Sequence, residues 1–154
     1  MTYRNFMVYG VVEKSALPPD AMPIEVFIDN KERIDDGDVS LYLSSIDDPT
    51  LAPEGLCSFM VLGPTFLDWP EPGAPEHRAP AYEAAKEAEG RRILALVERR
   101  WPGFTAGVRQ TVLASPTTVE RYLRKPGGAV AGPKQSLGQA LLHRPGARSP
   151  WKGL

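Results

Sequence analysis

The sequence predicts an α+β fold, in which a mixed, largely antiparallel sheet carries one long helix and one short helix. Four apolar segments in the first part of the chain are separated by turn residues and not by helices, which favours antiparallel neighbours. A single long helical pattern follows them. With 154 residues, 42% of them hydrophobic, the chain is long enough for one domain with a core.

The four early strands differ in how their apolar residues are spaced. The nearly continuous apolar run at residues 5–13 is typical of a strand buried on both faces. Apolar and polar residues alternate at 24–29 and at 39–44, which indicates strands with one buried face. Residues 56–62 form a further apolar strand, and the turn residues of 47–55 predict a hairpin with the strand before it. The residues expected to share one face of segment 24–29 are Ile24, Val26 and Ile28.

A loop and the long helix come next. Residues 64–80 hold five prolines, so they predict a surface loop and not a continued sheet. Residues 81–101 are predicted to form the long helix, which a Pro-Gly pair ends. Charged pairs spaced three or four residues apart, among them Glu89 with Arg92, are expected on its solvated outer face. The apolar stripe predicted to face the core consists of Tyr82, Ala85, Ala88, Ile93, Leu96, Val97 and Trp101.

A fifth strand and the short helix are predicted after that. Residues 107–114 have a strand pattern, and residues 117–124 a helical one. Two capping arrangements fit the start of this helix. Either Ser115 is the N-cap ahead of a proline at the first helical position, or Thr117 is the cap and Glu120 closes a capping box.

Charge and cysteine usage exclude several classes of protein. The net charge of −1 gives no global field that would favour nucleic acid. The charge is nonetheless uneven, because residues 91–154 hold twelve basic and two acidic side chains. Cys57 is the single cysteine, which rules out an internal disulfide, and no metal site is predicted from two distant histidines. No signal peptide or membrane-spanning helix is predicted. No set of catalytic residues emerges either.

Five motifs in a fixed order resemble one enzyme family. They are D-D-P-T-L-A-P-E-G at 47–55, W-P-G at 101–103, S-P-T-T-V-E-R-Y at 115–122, G-G-A-V-A-G at 127–132 and R-P at 144–145. In this order they resemble the C-terminal half of the phytoene desaturase-like FAD-dependent oxidoreductases. That family includes bacterial phytoene desaturases, carotenoid isomerases and retinol saturases.

The resemblance implies part of a two-domain FAD oxidoreductase, truncated at both ends. Residues 1–125 would be a partial substrate-binding domain, and the Gly/Pro-rich residues 126–154 would lead toward a missing FAD-binding domain. The family's G-x-G-x-x-G motif does not occur in the sequence. The implied cofactor is therefore FAD, but this chain alone is expected neither to bind it nor to be active. The implied reaction is desaturation or isomerisation of an apolar polyene.

The resemblance also implies site residues and partners. Gly127, Gly128, Gly132 and Arg144 are implied to face the flavin, with the alternatives that the glycines only shape a turn and that Arg144 pairs with a carboxylate. The implied partners are an apolar small molecule and the missing FAD-binding half or a second copy, with no nucleic acid. A cytoplasmic location is expected, with contact to the membrane periphery as an option. Two other functions stay open: an amine-oxidase-like flavoprotein with a smaller substrate, and a non-catalytic binding module.

Overall fold

The computed structural model describes residues 4–28, 30–32 and 38–130, which form a five-stranded sheet and four α-helices. The strands lie in the order β2-β3-β4-β1-β5, and every strand pair in these ranges is antiparallel. The predicted α+β class is therefore confirmed. The strands are β1 (Arg4–Glu13), β2 (Ile24–Phe27), β3 (Val39–Tyr42), β4 (Leu56–Thr65) and β5 (Val108–Ala114).

The helices include the two that the sequence predicts. They are α1 (Ser44–Asp47), α2 (Pro80–Arg100), α3 (Phe104–Gly107) and α4 (Pro116–Leu123). The long helix α2 ends before Gly103, which has a φ of 94°, and the Glu98 carboxylate accepts hydrogen bonds from the N–H groups of Gly103 and Thr105. At α4 the side chain of Ser115 accepts from the Thr118 N–H. The first of the two capping alternatives is thus the correct one.

The hairpin of β3 and β4 is also confirmed. Leu41 of β3 lies opposite Val61 of β4 in an antiparallel register. The connection between the strands contains α1 and a short 3-10 turn at Pro49–Leu51. Ser45 in α1 joins this connection to β4, because its hydroxyl accepts from the Ser58 N–H and donates to the Cys57 thiol. Cys57 is fully buried, as a small core residue.

The main core lies between one face of the sheet and α2. Burial of each large apolar side chain contributes about 1.5–3 kcal/mol. Gly63 in β4 allows the close approach of α2, because a Cβ atom there would lie 2.5 Å from Cδ1 of Ile93. The buried residues of this core include Phe6, Val8, Val12, Val39, Leu41, Phe59, Val61, Ile93, Val97 and Phe104.

One part of the predicted α2 face is wrong. Ala88 is exposed, whereas Glu89 and Gly90 are buried, so Glu89 and Arg92 do not form an outer-face pair. Gly90 faces β5, where a Cβ atom would lie 2.8 Å from Cδ2 of Leu113. Gly90, the smallest residue of α2, therefore faces the sheet, and the neighbouring Glu89 lies on the buried side of the helix.

Candidate functional site

The face of the sheet opposite α2 is largely open, and most of its side chains are apolar. Ile24 and Val26 in β2 are each 58% exposed, and Val112 in β5 is 59% exposed. Tyr9 in β1, which lies between β4 and β5, is 40% exposed, so this strand is not buried on both faces as its sequence predicts. Exposed apolar surfaces that are continuous mark sites for ligands or partners, whereas single exposed apolar residues do not. Whether these residues are continuous is decided by the strand register.

The register joins them into one row that crosses all five strands. Ile24 lies opposite Tyr42, and Tyr42 lies opposite Met60. Met60 lies opposite Tyr9, which in turn lies opposite Val112. Directly opposed side chains on one face have Cβ atoms about 4.5–5.5 Å apart, so successive members of the row are direct neighbours. At about 4.8 Å between strands, the row is roughly 19 Å long.

A second row lies beside the first and is covered at one end. It runs from Val26 through Ser40, Leu62 and Met7 to Ala114. Its last three members pack against Val119 of α4 and against Val130. These two rows form the open face, which is the candidate functional site.

Helix α4 extends the apolar surface beyond this covered end. Tyr122 and Leu123 follow Val119 by three and four residues, so they lie on the same side of the helix, one turn further along. Unlike Val119, they are exposed, at 74% and 58%. The open face is therefore bordered on this side by an apolar helix turn and not by a polar rim.

A polar network fixes the end of β4, on the core side of the sheet. Nε1 of Trp69 donates to the Thr65 hydroxyl, and Arg92 donates through Nε and Nη2 to both carboxylate oxygens of Glu89, each at 2.9 Å. Arg92 also donates to the Pro64 carbonyl. Burial raises the pKa of Glu89, but hydrogen bonds from Arg92 and Thr65 and the charge of Arg92 outweigh it and lower the pKa below its ordinary value. This network was not predicted from the sequence. A usable signal was the position of Glu89 next to Gly90, on the side of α2 that faces the sheet.

The predicted flavin-facing glycines lie in a turn that packs on α4. Gly127 and Gly128 have φ values of 67° and 68°, and the Gly127 N–H donates to the Glu120 carboxylate. A Cβ atom on Gly128 would lie 2.3 Å from the Pro116 carbonyl oxygen, so the backbone of α4 fills the space next to it. Packing alone thus requires a glycine at 128. Its approach to a flavin stays a prediction.

A small cleft next to Gly127 does not have the size of a cofactor site. Its volume is about 140 Å³, and it is lined by residues that include Arg4, Trp69 and Glu120. Ligand pockets for small molecules and cofactors usually have about 300–1,000 Å³. The other two predicted cofactor residues, Gly132 and Arg144, lie outside the described residues.

No protein-family model matches the sequence, and no curated protein matches it either. Within the described part of the chain, no three His, Cys, Asp or Glu side chains are placed to hold a metal ion together. Across the same ranges, no helix has the length and apolar character needed to cross a membrane.

Proposed function

We propose that this chain is the substrate-side part of a FAD-dependent oxidoreductase of the phytoene desaturase-like family, which desaturates or isomerises an apolar polyene in the cytoplasm. The observation that carries the proposal is the apolar row from Ile24 to Val112 across all five strands. An elongated ligand without polar groups needs a long apolar contact surface, and this row supplies one. The order of the family-like motifs supports the same assignment.

The chemistry of the row suits a conjugated ligand. At its centre, Met60 lies between Tyr42 and Tyr9, and the Tyr9 hydroxyl donates to the Met7 sulfur, so its polar end is satisfied within the protein. Aromatic rings and polarisable thioethers make favourable contacts with a π system. These residues would hold the polyene flat against the sheet and exclude water from one side of it. In this proposal the chain binds and orients, and it supplies no proton donor or acceptor.

The described residues do not fit FAD. Dinucleotide-binding folds hold the pyrophosphate at the end of a parallel βαβ unit, whereas the strand pairs described for this chain are all antiparallel. The space beside Gly128 is filled by the Pro116 backbone. When bound in such an enzyme, FAD accepts or relays electrons. We propose that a separate part of the enzyme binds it, so the chain alone is expected to remain colourless.

Polyene binding by the purified chain tests the proposal. All-trans-retinol is added at low protein concentration, and binding is followed by its fluorescence. We expect saturable binding, which the double variant Val26→Glu, Val112→Glu weakens at least tenfold because it places charges at both ends of the open face. The matched control is Leu51→Glu, since Leu51 is 55% exposed and lies in the turn before β4. It should change the affinity less than twofold.

Several results would count against this function. Absence of saturable retinol binding would contradict it, and so would equal weakening by the double variant and by Leu51→Glu. Binding of a small aromatic amine in preference to retinol would favour the amine-oxidase-like alternative. A yellow purified chain with flavin absorbance would show that the cofactor is bound by these residues after all. Circular dichroism of each variant establishes that its fold is intact.

A further inference from the structure

A second cavity lies away from the open face, between the loop that precedes α2 and the end of α4. Its volume is about 440 Å³, and it is open to solvent, since Arg78 and Arg121 in its lining are both exposed. The loop and α4 are held together by the Thr117 hydroxyl, which donates to the Pro70 carbonyl. The cavity is lined by Pro72, Gly73, Ala74, His77, Arg78 and Arg121.

The polar side chains of this cavity are all suited to bind an anion. Arg78 and Arg121 reach it from two different elements, and each guanidinium offers several N–H donors in a fixed plane. Nδ1 of His77 accepts a hydrogen bond from the Gly73 N–H, so the neutral ring carries its proton on Nε2 and is a donor there. The His77 ring is oriented by edge contact with Tyr82, at 5.3 Å between centroids.

Among the described residues, none of the acidic side chains lines this cavity or forms an ion pair with Arg78 or Arg121. The Arg121 guanidinium lies over the Tyr122 ring, 5.6 Å from its centroid. Two guanidinium groups that share a cavity without a counter-ion repel each other, and an anion between them would remove that repulsion.

The backbone of Arg78 gives an independent reason to assign its side chain a role. Its φ is 74°, a left-handed conformation that glycine adopts freely. For a residue with a side chain, this conformation raises the free energy of the folded state by about 1 kcal/mol or more. Such strained residues cluster at functional sites. Arginine at 78 is therefore less favourable for folding than glycine would be.

We propose that this cavity binds a phosphate group, with Arg78 and Arg121 as bidentate donors and His77 as a further donor. Arginine pairs with phosphate oxygens through two parallel hydrogen bonds, which matches two guanidinium groups around one tetrahedral anion. A phosphorylated small molecule and the headgroup of an anionic phospholipid share this chemistry. The site lies outside the open face, so it does not depend on the proposed oxidoreductase function.

The test compares two arginines that both have a positive φ but lie at different places in the structure. Arg124 also has a positive φ, 53°, at the end of α4, and it does not line the cavity. In Arg78→Gly and Arg124→Gly the relief of strain should raise the melting temperature in both cases. Inorganic pyrophosphate is the probe, titrated calorimetrically at low ionic strength into the full chain. We expect Arg78→Gly to weaken its binding at least tenfold, Arg121→Gln to act similarly, and Arg124→Gly to change it less than threefold.

Vesicles distinguish the two sources of phosphate. The chain is sedimented with phosphatidylcholine vesicles that contain or lack phosphatidylglycerol. Binding that requires phosphatidylglycerol, that pyrophosphate displaces and that Arg78→Gly abolishes identifies a lipid headgroup. Pyrophosphate binding without vesicle binding identifies a soluble phosphate ligand. Absence of saturable pyrophosphate binding would overturn the proposal. Equal losses in Arg78→Gly and Arg124→Gly would overturn it too, because they would show diffuse attraction to positive charge.

Discussion

Glu89 shows how a single charged residue can be part of the interior. Its side chain is 6% exposed, yet it remains ionised because Arg92 binds both carboxylate oxygens and Thr65 donates a third hydrogen bond. Arg92 in turn satisfies the Pro64 carbonyl at the end of β4. The Glu89–Arg92 pair therefore connects α2 to the end of β4, where the proline-rich loop begins.

Glu89→Gln should lower the free energy of unfolding by about 1–3 kcal/mol at neutral pH, since it leaves part of the Arg92 charge without a partner. This expected loss of stability is small for a buried ion pair because Arg92 is 37% exposed. The folded-state pKa of Glu89 is lowered, so its contribution is complete above about pH 4.3, the ordinary glutamate value, and is lost as the pH falls through the lower folded-state pKa. Urea unfolding of the unchanged protein and of Glu89→Gln measures this difference in stability. The measurements run from about pH 3 to about pH 7, so that they bracket the transition.

Glu87→Gln is the matched control. Glu87 lies two residues earlier on α2 and pairs with Arg91 at 3.7 Å, where both side chains are about two-thirds exposed. Its loss should change the stability by less than about 0.5 kcal/mol, because exposed ion pairs contribute little. Equal losses of stability in Glu89→Gln and Glu87→Gln would show that the buried pair contributes no more to stability than the exposed pair does.

At the scale of elements, the hydroxyl pair of Tyr82 and Ser115 links the two helices that the sequence predicts. The two oxygens lie 2.8 Å apart in the interior, and Ser115 also caps α4 through the Thr118 N–H. The start of α2 and the start of α4 are thus fixed to one another by one serine side chain.

A double-mutant cycle measures this link. Ser115→Ala should cost about 1–2 kcal/mol, since it removes a helix cap and leaves the Tyr82 hydroxyl buried without a partner. Tyr82→Phe should cost about 1 kcal/mol, and the double variant less than the sum of the two, by about 0.5 kcal/mol or more. The measurement is chemical unfolding of all four proteins. Strictly additive losses would mean that the two hydroxyls contribute independently.

The strands, the two longer helices and the β3–β4 hairpin could be predicted from the sequence, whereas the inward side of α2 and the other strand pairs could not. Alternation at Val39, Leu41 and Leu43 correctly identifies their buried side, but the same period-two spacing at Ile24 and Val26 lies on an exposed face. In α2 the apolar spacing is interrupted at the turn of Ala88 and Gly90. The inward side there depends on the contact with Leu113, which comes from a distant strand.

The candidate site was predictable only in part, for the same reason. That Ile24 and Val26 share a face follows from their spacing, and the structure confirms it, but this face is exposed and not the buried one that the alternation predicts. Ile28 is exposed too, and it lies beyond the end of β2. That Tyr9, Tyr42 and Met60 complete a row with Ile24 follows from the register of three strand pairs, which no local pattern specifies. The Arg78–Arg121 cavity likewise depends on the tertiary placement of a loop against α4.

At the scale of the whole molecule, the sheet has one face covered by α2 and one open apolar face. Such a surface in water predicts self-association of the isolated chain. Val26→Lys with Val112→Lys should weaken that association at least tenfold, because lysines on edge strands oppose contact between sheets. Sedimentation over a range of concentrations measures this, and Leu51→Lys is the control with a similar exposed fraction. A chain that is monomeric at every concentration would contradict the prediction.

The position of β1 between β4 and β5 has a consequence for how this protein is made. Val8 pairs with Val61 on one side and with Leu113 on the other, so β1 leaves the ribosome well before either of its partner strands. Until β5 has emerged from the exit tunnel, one edge of this apolar strand stays unpaired in the nascent chain. Synthesis therefore creates a long interval in which chaperones that bind extended apolar segments have a target, and in which premature release would yield misfolded product.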